Sequence, residues 1–351
     1  MQIDSLVSPP LLSADLPGVG GRIKAEIEDF AVDEIPAYPP SGQGGFLYLW
    51  IEKRDMGAEY FARQIARRLE LSPGEVGTAG LKDRRAVTRQ MVSVPASAEE
   101  KLARLDGDGI HVLSVSRHSN KLKPGHLHGN RFRILIRDAR HDEAALGAIL
   151  ERTHVRGLPN YYGTQRFGHH AETLQTGLAL LLGEKLARPV RSPFLRKLAL
   201  SAAQSGLFNH YLAARMADGL LRSVLPGDVM AKLPAGGMFV AEDTPQEQAR
   251  FDARETVTAG PIFGRKTFAA AGVVAEREAR TLAACGLTSA SFVGFGKLLQ
   301  GSRRHNLVYV DDLRAEWEPM GLRLSFTLPA GSYATVLLRE ITKVDHACEV
   351  D

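Results

Sequence analysis

The segment Thr78-Ala79-Gly80-Leu81-Lys82-Asp83-Arg84-Arg85-Ala86-Val87-Thr88-Arg89-Gln90 decides how the rest of the chain is interpreted. Alternating residues from Thr88 to Val94 predict a strand, and a charged turn around Asp83 comes before it. A carboxyl group flanked by cations is favoured in its ionised form. We therefore expect Asp83 to be a carboxylate that is held in a turn at the end of a strand.

An ionised carboxylate in this setting has two interpretations. Carboxylates act as nucleophiles in glycosyl chemistry, because the attacked carbon is electron-poor and the adduct can be broken again. A single Asp without an obvious acid partner suits a reaction with no net hydrolysis. The second interpretation is that Asp83 only balances Lys82, Arg84 and Arg85 in an exposed turn, and spacing alone favours it.

Several other chemistries are excluded by their motifs. Gly296-Lys297 lacks both the glycine five positions earlier and the following Ser or Thr of a phosphate-binding P-loop. The chain has no G-x-G-x-x-G after a strand and no G-x-S-x-G nucleophile elbow. His169 and His170 are adjacent and point to different helix faces, so they make a poor zinc pair. We expect no metal and no cofactor.

The composition is that of an ordinary globular protein. The 351 residues are 44% hydrophobic and 24% charged, which excludes collagen-like and wholly disordered chains. The longest apolar run, Phe46 to Ile51, is much shorter than the roughly 20 residues of a membrane span. The N-terminus is unlike a secretory signal, and Cys285 and Cys348 alone fit a reducing compartment. We expect a cytoplasmic protein with no membrane partner.

Positive charge is concentrated in one part of the chain. The formal net charge is only +4, but residues 111–140 hold seven Lys or Arg residues and a single acid, Asp138. A basic stripe on a nearly neutral protein is the electrostatic pattern expected where a phosphate backbone docks. A strand and loop with solvated charges would look the same, and charge alone does not separate these two possibilities.

The order of predicted elements indicates an α+β protein with two domains. Strand and helix patterns alternate in the first part of the chain, and Gly157-Leu158-Pro159-Asn160 then breaks the pattern. Helical periodicity dominates residues 171–217, and a strand pattern returns at residues 323–328. This order suggests one domain inserted into another.

The segment around Asp83 closely resembles the signature of the TruD family of tRNA pseudouridine synthases. In that family the Asp of the A-G-x-K-D segment is the catalytic nucleophile, which implies this role for Asp83. The resemblance covers nearly the whole chain. It includes Glu28-Asp29-Phe30-x-Val32-x-Glu34, Gly129-Asn130-Arg131-Phe132, Asn160-Tyr161-Tyr162-Gly163-Thr164-Gln165-Arg166-Phe167-Gly168 and Leu328-Pro329-Ala330-Gly331-Ser332-Tyr333.

The resemblance implies both an architecture and an activity. The architecture is an α+β pseudouridine synthase catalytic core with a mixed, mainly antiparallel sheet, interrupted by an inserted α/β TRUD domain. We assign residues 1–156 and 308–351 to the core and residues 157–307 to the insert. The implied activity is isomerisation of a uridine, at position 13 of tRNA, to pseudouridine without a cofactor. The implied partner is tRNA, and we expect a monomer.

The resemblance also implies charged partners for Asp83. Lys24 matches a family lysine near the catalytic acid and is a candidate for its ion-pair partner, with Lys82 as the competitor that is adjacent in sequence. Glu34 is expected either to orient that lysine or to be a charge on the strand surface. The sequence does not decide between Lys24 and Lys82.

Four residues are candidates for binding the target nucleotide, which must leave its helical stack to be reached. Tyr333 is expected to stack on the base, although the family usually has Phe there. Phe30 and Phe132 match aromatic positions of the family's pocket, but both lie on apparent strand ends, where packing in the core is common for Phe. The amide of Asn130 can read a uracil edge, whereas Gly129-Asn130 is also a common hairpin-turn pair.

A cluster of cations is expected to contact phosphates, with an affinity that falls as salt rises. The prediction concerns the cluster and not each member alone. Its members are Lys82, Arg84, Arg85, Arg89, Arg117, Lys121, Lys123 and Arg131.

Two other functions remain open at this point. A non-catalytic tRNA-binding protein or RNA chaperone would use the same basic surface without needing Asp83. A carboxylate-dependent glycosidase acting on small sugars would need a second catalytic acid, for which the sequence offers no convincing candidate. The chemical path is open as well, because Asp83 can attack the uracil ring or promote departure of the base with loss of a proton from the sugar.

Overall fold

The computed structural model describes residues 3–186, 188–234 and 236–345. The strands in chain order are β1 (Phe30–Pro36), β2 (Phe46–Arg54), β3 (Gly77–Thr78), β4 (Val87–Pro95), β5 (Ile110–His118), β6 (Leu127–Arg137), β7 (Leu158–Pro159), β8 (Val229–Lys232), β9 (Met238–Val240), β10 (Thr256–Ile262), β11 (Ser302–His305), β12 (Leu307–Val308), β13 (Arg314–Glu318) and β14 (Gly321–Pro329). The helices are α1 (Asp4–Val7), α2 (Ala58–Leu69), α3 (Glu143–Arg156), α4 (Glu172–Leu182), α5 (Pro193–Ala217), α6 (Thr244–Asp252), α7 (Gly272–Ala284) and α8 (Ala334–Thr342).

The largest sheet has eight strands, and these include β1 and β14, the first and last strands in chain order. Seven strands follow the order β13-β14-β6-β1-β4-β2-β5, and β3 pairs with β4. Only β1 and β4 run parallel, and the other pairs are antiparallel. The sheet is therefore mixed and mainly antiparallel, as predicted.

Alternation along β14 shows why this strand lies in the sheet. Leu322, Leu324, Phe326 and Leu328 are buried, and the residues between them are half-buried. The buried face packs with α8, whose Leu337, like Leu338 and Ile341, is fully buried in the same core cluster. Burial of each such side chain contributes roughly 1.5–3 kcal/mol relative to exposure.

Helix α2 covers the other half of the sheet. Its Phe61, Ile65 and Leu69 pack in one cluster with Leu49 and Ile51 of β2. These residues are four positions apart, a spacing that predicts a helix in this stretch. Tyr60 belongs to the same periodic pattern but is 51% exposed. The helix ends at Glu70, whose left-handed backbone closes its last turn.

The second large sheet has the order β11-β10-β8-β9 and lies within residues 229–305. All of its pairings are antiparallel, which differs from the parallel strands that an α/β insert implies. The long helix α5 packs on this sheet and on α4. The two helices approach closely at Gly177, where a Cβ atom would lie 2.0 Å from the carbonyl oxygen of Ala199.

A two-stranded sheet joins the places where the chain crosses between the large sheets. Leu158 pairs with Val308, and Pro159 pairs with Leu307, so the outgoing and returning segments are hydrogen-bonded to each other. The N-terminal segment follows a different course from the rest of the predicted core. Leu6 is fully buried in the cluster of α4 and α5, and Asn209 on α5 donates to its carbonyl oxygen at 3.0 Å.

Within the described part of the chain, no helix combines the length and the apolar character needed to cross a bilayer. The same residues contain no group of three or more His, Cys, Asp or Glu side chains placed to hold a metal ion.

The buried ion pair between Arg215 and Asp228 predicts a large loss of stability when it is broken. Its two hydrogen bonds measure 2.7 and 2.6 Å, and the side chains are 0% and 2% exposed. We expect Asp228→Asn to lower the free energy of unfolding by about 3–5 kcal/mol, because a guanidinium is left buried without a counter-charge. Urea denaturation measures this change.

The matched control is Asp138→Asn, which breaks the exposed pair between Asp138 and Arg22. Surface pairs contribute little to stability, so this variant should unfold close to the unsubstituted protein. Equal urea midpoints for the two variants would contradict the assignment of a stabilising role to burial of the Arg215 pair.

Candidate active site

Asp83 lies in the loop between β3 and β4 and forms an ion pair with Lys24. The Lys24 Nζ atom is 2.8 Å from Asp83 Oδ1, and the two side chains are 18% and 38% exposed. Lys24 has a φ of +55°, a left-handed backbone conformation that few residues other than Gly adopt. Of the two lysines that the sequence left open, Lys24 is the one that contacts the Asp83 carboxylate, and the pair is partly open to solvent.

Lys82 points in the other direction and pairs with Glu34. Its Nζ atom is 2.6 Å from Glu34 Oε2, and the side chains are only 3% and 0% exposed. The second oxygen of Glu34 accepts a hydrogen bond from the main-chain N–H of Met91. Two expectations are corrected by this geometry. Lys82 is too deeply buried to contact a phosphate, and Glu34 orients Lys82 and not Lys24.

Lys53 is a third lysine of the site and was not among the site residues predicted from the sequence. It is fully buried, and its Nζ atom donates to the main-chain carbonyl of Asp83 at 2.8 Å and to that of Met56. Leu49, Ile51 and Lys53 alternate on the buried face of β2. The alternation of β2 predicts that position 53 is buried. A lysine at such a position is the sequence signal that could have revealed this residue.

Strand register places the site on one face of the large sheet. Lys53, Thr88, Val32, Phe132 and Phe326 are successive register partners across five adjacent strands. Partners that lie directly opposite each other point to the same face. Lys53, which holds the Asp83 loop, therefore shares this face with the aromatic rings.

Phe30 and Phe132 form the floor of the site. The Lys24 Nζ atom lies 4.4 Å from the centroid of the Phe30 ring. Phe30 meets Phe132 edge-on with 6.3 Å between centroids, and Phe132 stacks on Phe326 at 5.2 Å. Both rings are almost completely buried. Core packing, which the sequence offered as an alternative role, is therefore the observed environment of both rings, and Phe30 also contacts Lys24 of the ion pair.

Asn130 lies two residues from Phe132 on the same face, where it is the register partner of Glu34. Among the residues that the structure describes, its buried Oδ1 atom has no hydrogen-bond partner, and the same is true of Thr88 Oγ1 and Gln90 Oε1 on β4. Such groups are costly unless something pairs with them. The hairpin-turn alternative for Gly129-Asn130 is wrong, because both residues lie inside β6 and pair with β14.

Tyr333 belongs to a neighbouring aromatic cluster. It precedes the first residue of α8, and its ring centroid is 5.7 Å from that of Tyr162. Burial raises the pKa of its hydroxyl above the usual value. The ring contacts of Tyr333 among the described residues are with Tyr162 and not with Phe30 or Phe132.

The predicted phosphate-binding cations differ in their exposure and in their contacts. Arg84 and Arg85 are exposed beside Asp83, and Lys123 and Arg131 are exposed as well. Several of the predicted cations also make contacts within the protein. These are Arg89 with Glu52 and Asp33, Arg117 with Glu99, Lys121 with the carbonyl of Gly74, and Arg85 with the carbonyl of Ala25.

An open cavity of about 740 Å³ lies beside the Asp83 loop. Its lining includes Tyr38, Phe46, His126 and Lys123. The segment that forms one wall is attached to the loop by a hydrogen bond of 2.8 Å from the Gly125 N–H to the Ala79 carbonyl. Aromatic and cationic groups are thus available next to the loop that carries the carboxylate.

Comparison with known proteins gives matches along the whole chain. The family model described as tRNA pseudouridine synthase D (TruD) matches residues 8–190 and 187–341. A protein named tRNA pseudouridine synthase D from Anaeromyxobacter dehalogenans is 45% identical over 346 residues, covering 96% of this chain and 97% of the relative. A protein of the same name from Thermus thermophilus is 43% identical over 340 residues, covering 96% of this chain and 92% of the relative.

A solved structure agrees with the fold. The crystal structure of a TruD protein from Methanosarcina mazei matches with a TM-score of 0.78 and 23% identity, covering 99% of each chain. The predicted α+β fold class is thereby confirmed. With the family model and relatives above 40% identity over almost the full length, this chain belongs to the TruD family of tRNA pseudouridine synthases.

Proposed function

We propose that the protein isomerises uridine to pseudouridine in tRNA, at position 13, with Asp83 as the nucleophile. The observation that carries this proposal is the Asp83 carboxylate itself, paired at 2.8 Å with Lys24, partly open to solvent and set above a floor of aromatic rings. The names of the relatives support the same reaction.

The reaction is an internal exchange of bonds. The bond between the sugar C1′ and the uracil N1 breaks, the base turns in the pocket, and a bond forms between C1′ and C5. N1 ends with a proton and C5 loses one, so no oxidant, reductant or water is consumed. Asp83 serves either by attack on the uracil ring or by promoting departure of the base and taking a proton from the sugar.

Binding of the target nucleotide requires compensation for its lost stacking, which costs a few kcal/mol. In this proposal Tyr333 provides an aromatic face, which contributes about 1–3 kcal/mol for a stacked base. The unpaired amide oxygen of Asn130 accepts from the uracil edge. The exposed cations Arg84, Arg85, Lys123 and Arg131 hold the RNA backbone.

The geometry disfavours the glycosidase alternative. That reaction needs a second carboxyl group that is free to act as an acid or a base. Glu34, a carboxylate whose partner Lys82 belongs to this loop, is buried and committed to Lys82 and to the Met91 N–H. We also propose that residues 157–307 form an inserted domain and that the enzyme is a cytoplasmic monomer, with support for the insertion from the paired crossings β7 and β12.

Asp83→Asn tests the role of the carboxylate directly. We expect this variant to bind tRNA and form no pseudouridine, because the amide is neither a nucleophile nor a base. Mapping of pseudouridine at nucleotide resolution in unmodified tRNA, together with a binding isotherm, measures both properties. The matched control is Asp108→Asn, an exposed acid whose left-handed backbone suits Asn equally well. Pseudouridine at position 13 from the Asp83 variant would refute the assignment, and no product from the unsubstituted protein would refute the function.

Lys53→Met tests whether the buried ammonium group positions the Asp83 loop. We expect kcat to fall by about 10- to 100-fold, because a misplacement of about 1 Å is sufficient for such a loss, while the Kd for tRNA changes little. Single-turnover kinetics and binding separate the two effects, and a thermal melt checks that the variant is folded. Lys101→Met, which removes a lysine paired with Glu70 on the surface, is the control. A folded Lys53 variant with an unchanged kcat would show that the loop does not depend on this contact.

A further inference from the structure

Two arginines differ from the other sheltered arginines of the described chain. Every other arginine that is buried or half-buried forms an ion pair with an Asp or Glu. Arg166 and Arg304 are both half-buried, and within the described residues no carboxylate pairs with either guanidinium. The positive charges of these two arginines are therefore partly buried, and no carboxylate among the described residues neutralises them.

Arg304 is held firmly by neutral groups. Its Nε atom donates to the carbonyl of Asn160 at 2.8 Å, and its Nη2 atom donates to the side-chain oxygen of the same residue at 2.7 Å. The guanidinium carbon lies 4.1 Å from the centroid of the Tyr162 ring. Burial lowers the pKa of Arg304, which is the direction expected for a cation without a nearby acid.

Arg166 approaches the same ring and is also held by neutral groups. Its Nε atom donates to the Ser205 hydroxyl at 3.1 Å, and its Nη2 atom donates to the Ser201 hydroxyl. Its guanidinium carbon is 5.9 Å from the centroid of Tyr162. Tyr162 therefore has two cations near its ring, and Tyr333 is its aromatic neighbour.

This pair of arginines lies beside the segment that returns to the active site. Leu328 is the register partner of Asn130, and the next residues of the chain lead through Gly331 to Tyr333. Gly331 is exposed, and a Cβ atom there would lie only 3.6 Å from Arg304 Nη1. Asn160 accepts hydrogen bonds from the Nε and Nη2 atoms of Arg304. The Nη1 atom of Arg304 instead faces an exposed turn next to Tyr333, the candidate stacking residue.

We propose that Arg166 and Arg304 form a phosphate-binding site that holds a backbone phosphate of the tRNA next to the flipped nucleotide. This inference rests on the proposed function and names the two residues that would bind one phosphate of the substrate. Guanidinium groups suit phosphate because their planar donors match its oxygens. A sheltered pair of cations is costly in the free protein, and a bound phosphate provides the missing negative charge. Tyr162, positioned against both groups, keeps them oriented in the absence of RNA.

The test compares Arg166→Gln, Arg304→Gln and the double variant with the unsubstituted protein. We expect the Kd for tRNA to rise by about 10-fold or more in each variant, as for loss of a charge-assisted hydrogen bond. The slope of log Kd against log salt should fall in magnitude by about 0.7–0.9 in the double variant, the value for one phosphate contact. The control is Arg314→Gln, which removes an exposed arginine of the edge strand β13.

Thermal unfolding distinguishes this role from a purely structural one. Added inorganic phosphate should raise the melting temperature of the unsubstituted protein more than chloride at equal ionic strength, and this difference should vanish in the double variant. A lower melting temperature with an unchanged salt slope would overturn the proposal.

Pseudouridine formation at saturating tRNA separates this proposal from the function on which it rests. Product from the unsubstituted protein, with the same tRNA Kd in all of the Arg166 and Arg304 variants, would overturn the phosphate site and leave the enzyme assignment intact. Absence of product from the unsubstituted protein would instead refute the proposed function. Arg304→Lys keeps the charge, so its slope of log Kd against log salt should equal that of the unsubstituted protein.

Discussion

The candidate site depends on three lysine ammonium groups that fix the loop between β3 and β4, residues 79–86, none of which belongs to a strand. Lys24 contacts the carboxylate of Asp83, Lys53 holds its main-chain carbonyl, and Lys82 anchors the preceding residue to Glu34. Lys24 and Lys53 approach the loop from other parts of the chain, and Lys82 reaches from the loop to Glu34 on β1, so the loop is held on several sides. The position of one carboxylate thus depends on contacts with two strands and with the segment before β1.

The carboxylates of Glu34 and Asp83 have different roles because they differ in burial. Glu34 is fully buried and is satisfied by Lys82 and by a main-chain N–H, so it acts as part of the structure. Asp83 is more than a third exposed, and Lys24 donates to its Oδ1 atom from one side. The Phe30 ring contacts Lys24 of this pair and packs against Phe132. The same kind of group therefore supports the fold at one position and is available to a substrate at the other.

The sequence was informative where local chemistry is decisive. The charged turn before a strand located Asp83, and periodicity located α2 and β14, because these patterns depend on residues that are close in the chain. The sequence did not decide which lysine pairs with Asp83. Lys82 is adjacent to Asp83 in sequence, yet the loop turns its side chain toward Glu34, so adjacency is a poor guide to direction. Lys53 is 30 residues away from Asp83, and although its buried position has a signal in β2, its contact with the Asp83 loop can be inferred only once β2 and β4 are known to pair.

Long-range register also decided the other differences. Gly129-Asn130 has the composition of a turn, but the pairing of β6 with β1 and β14 extends through it. The N-terminal segment packs on α5, where Leu6 fills a buried position and contacts Asn209, 203 residues away in the chain. Neither contact has a local signature, since both depend on which surfaces the completed sheets leave uncovered.

The paired crossings β7 and β12 are the points where the chain enters and leaves the segment that carries Arg166 and Arg304, whereas Asp83 precedes both crossings. An RNA strand bound by both arginines while its nucleotide reaches Asp83 would therefore connect two parts of the chain that the crossings separate, so that binding of the substrate would also stiffen the enzyme.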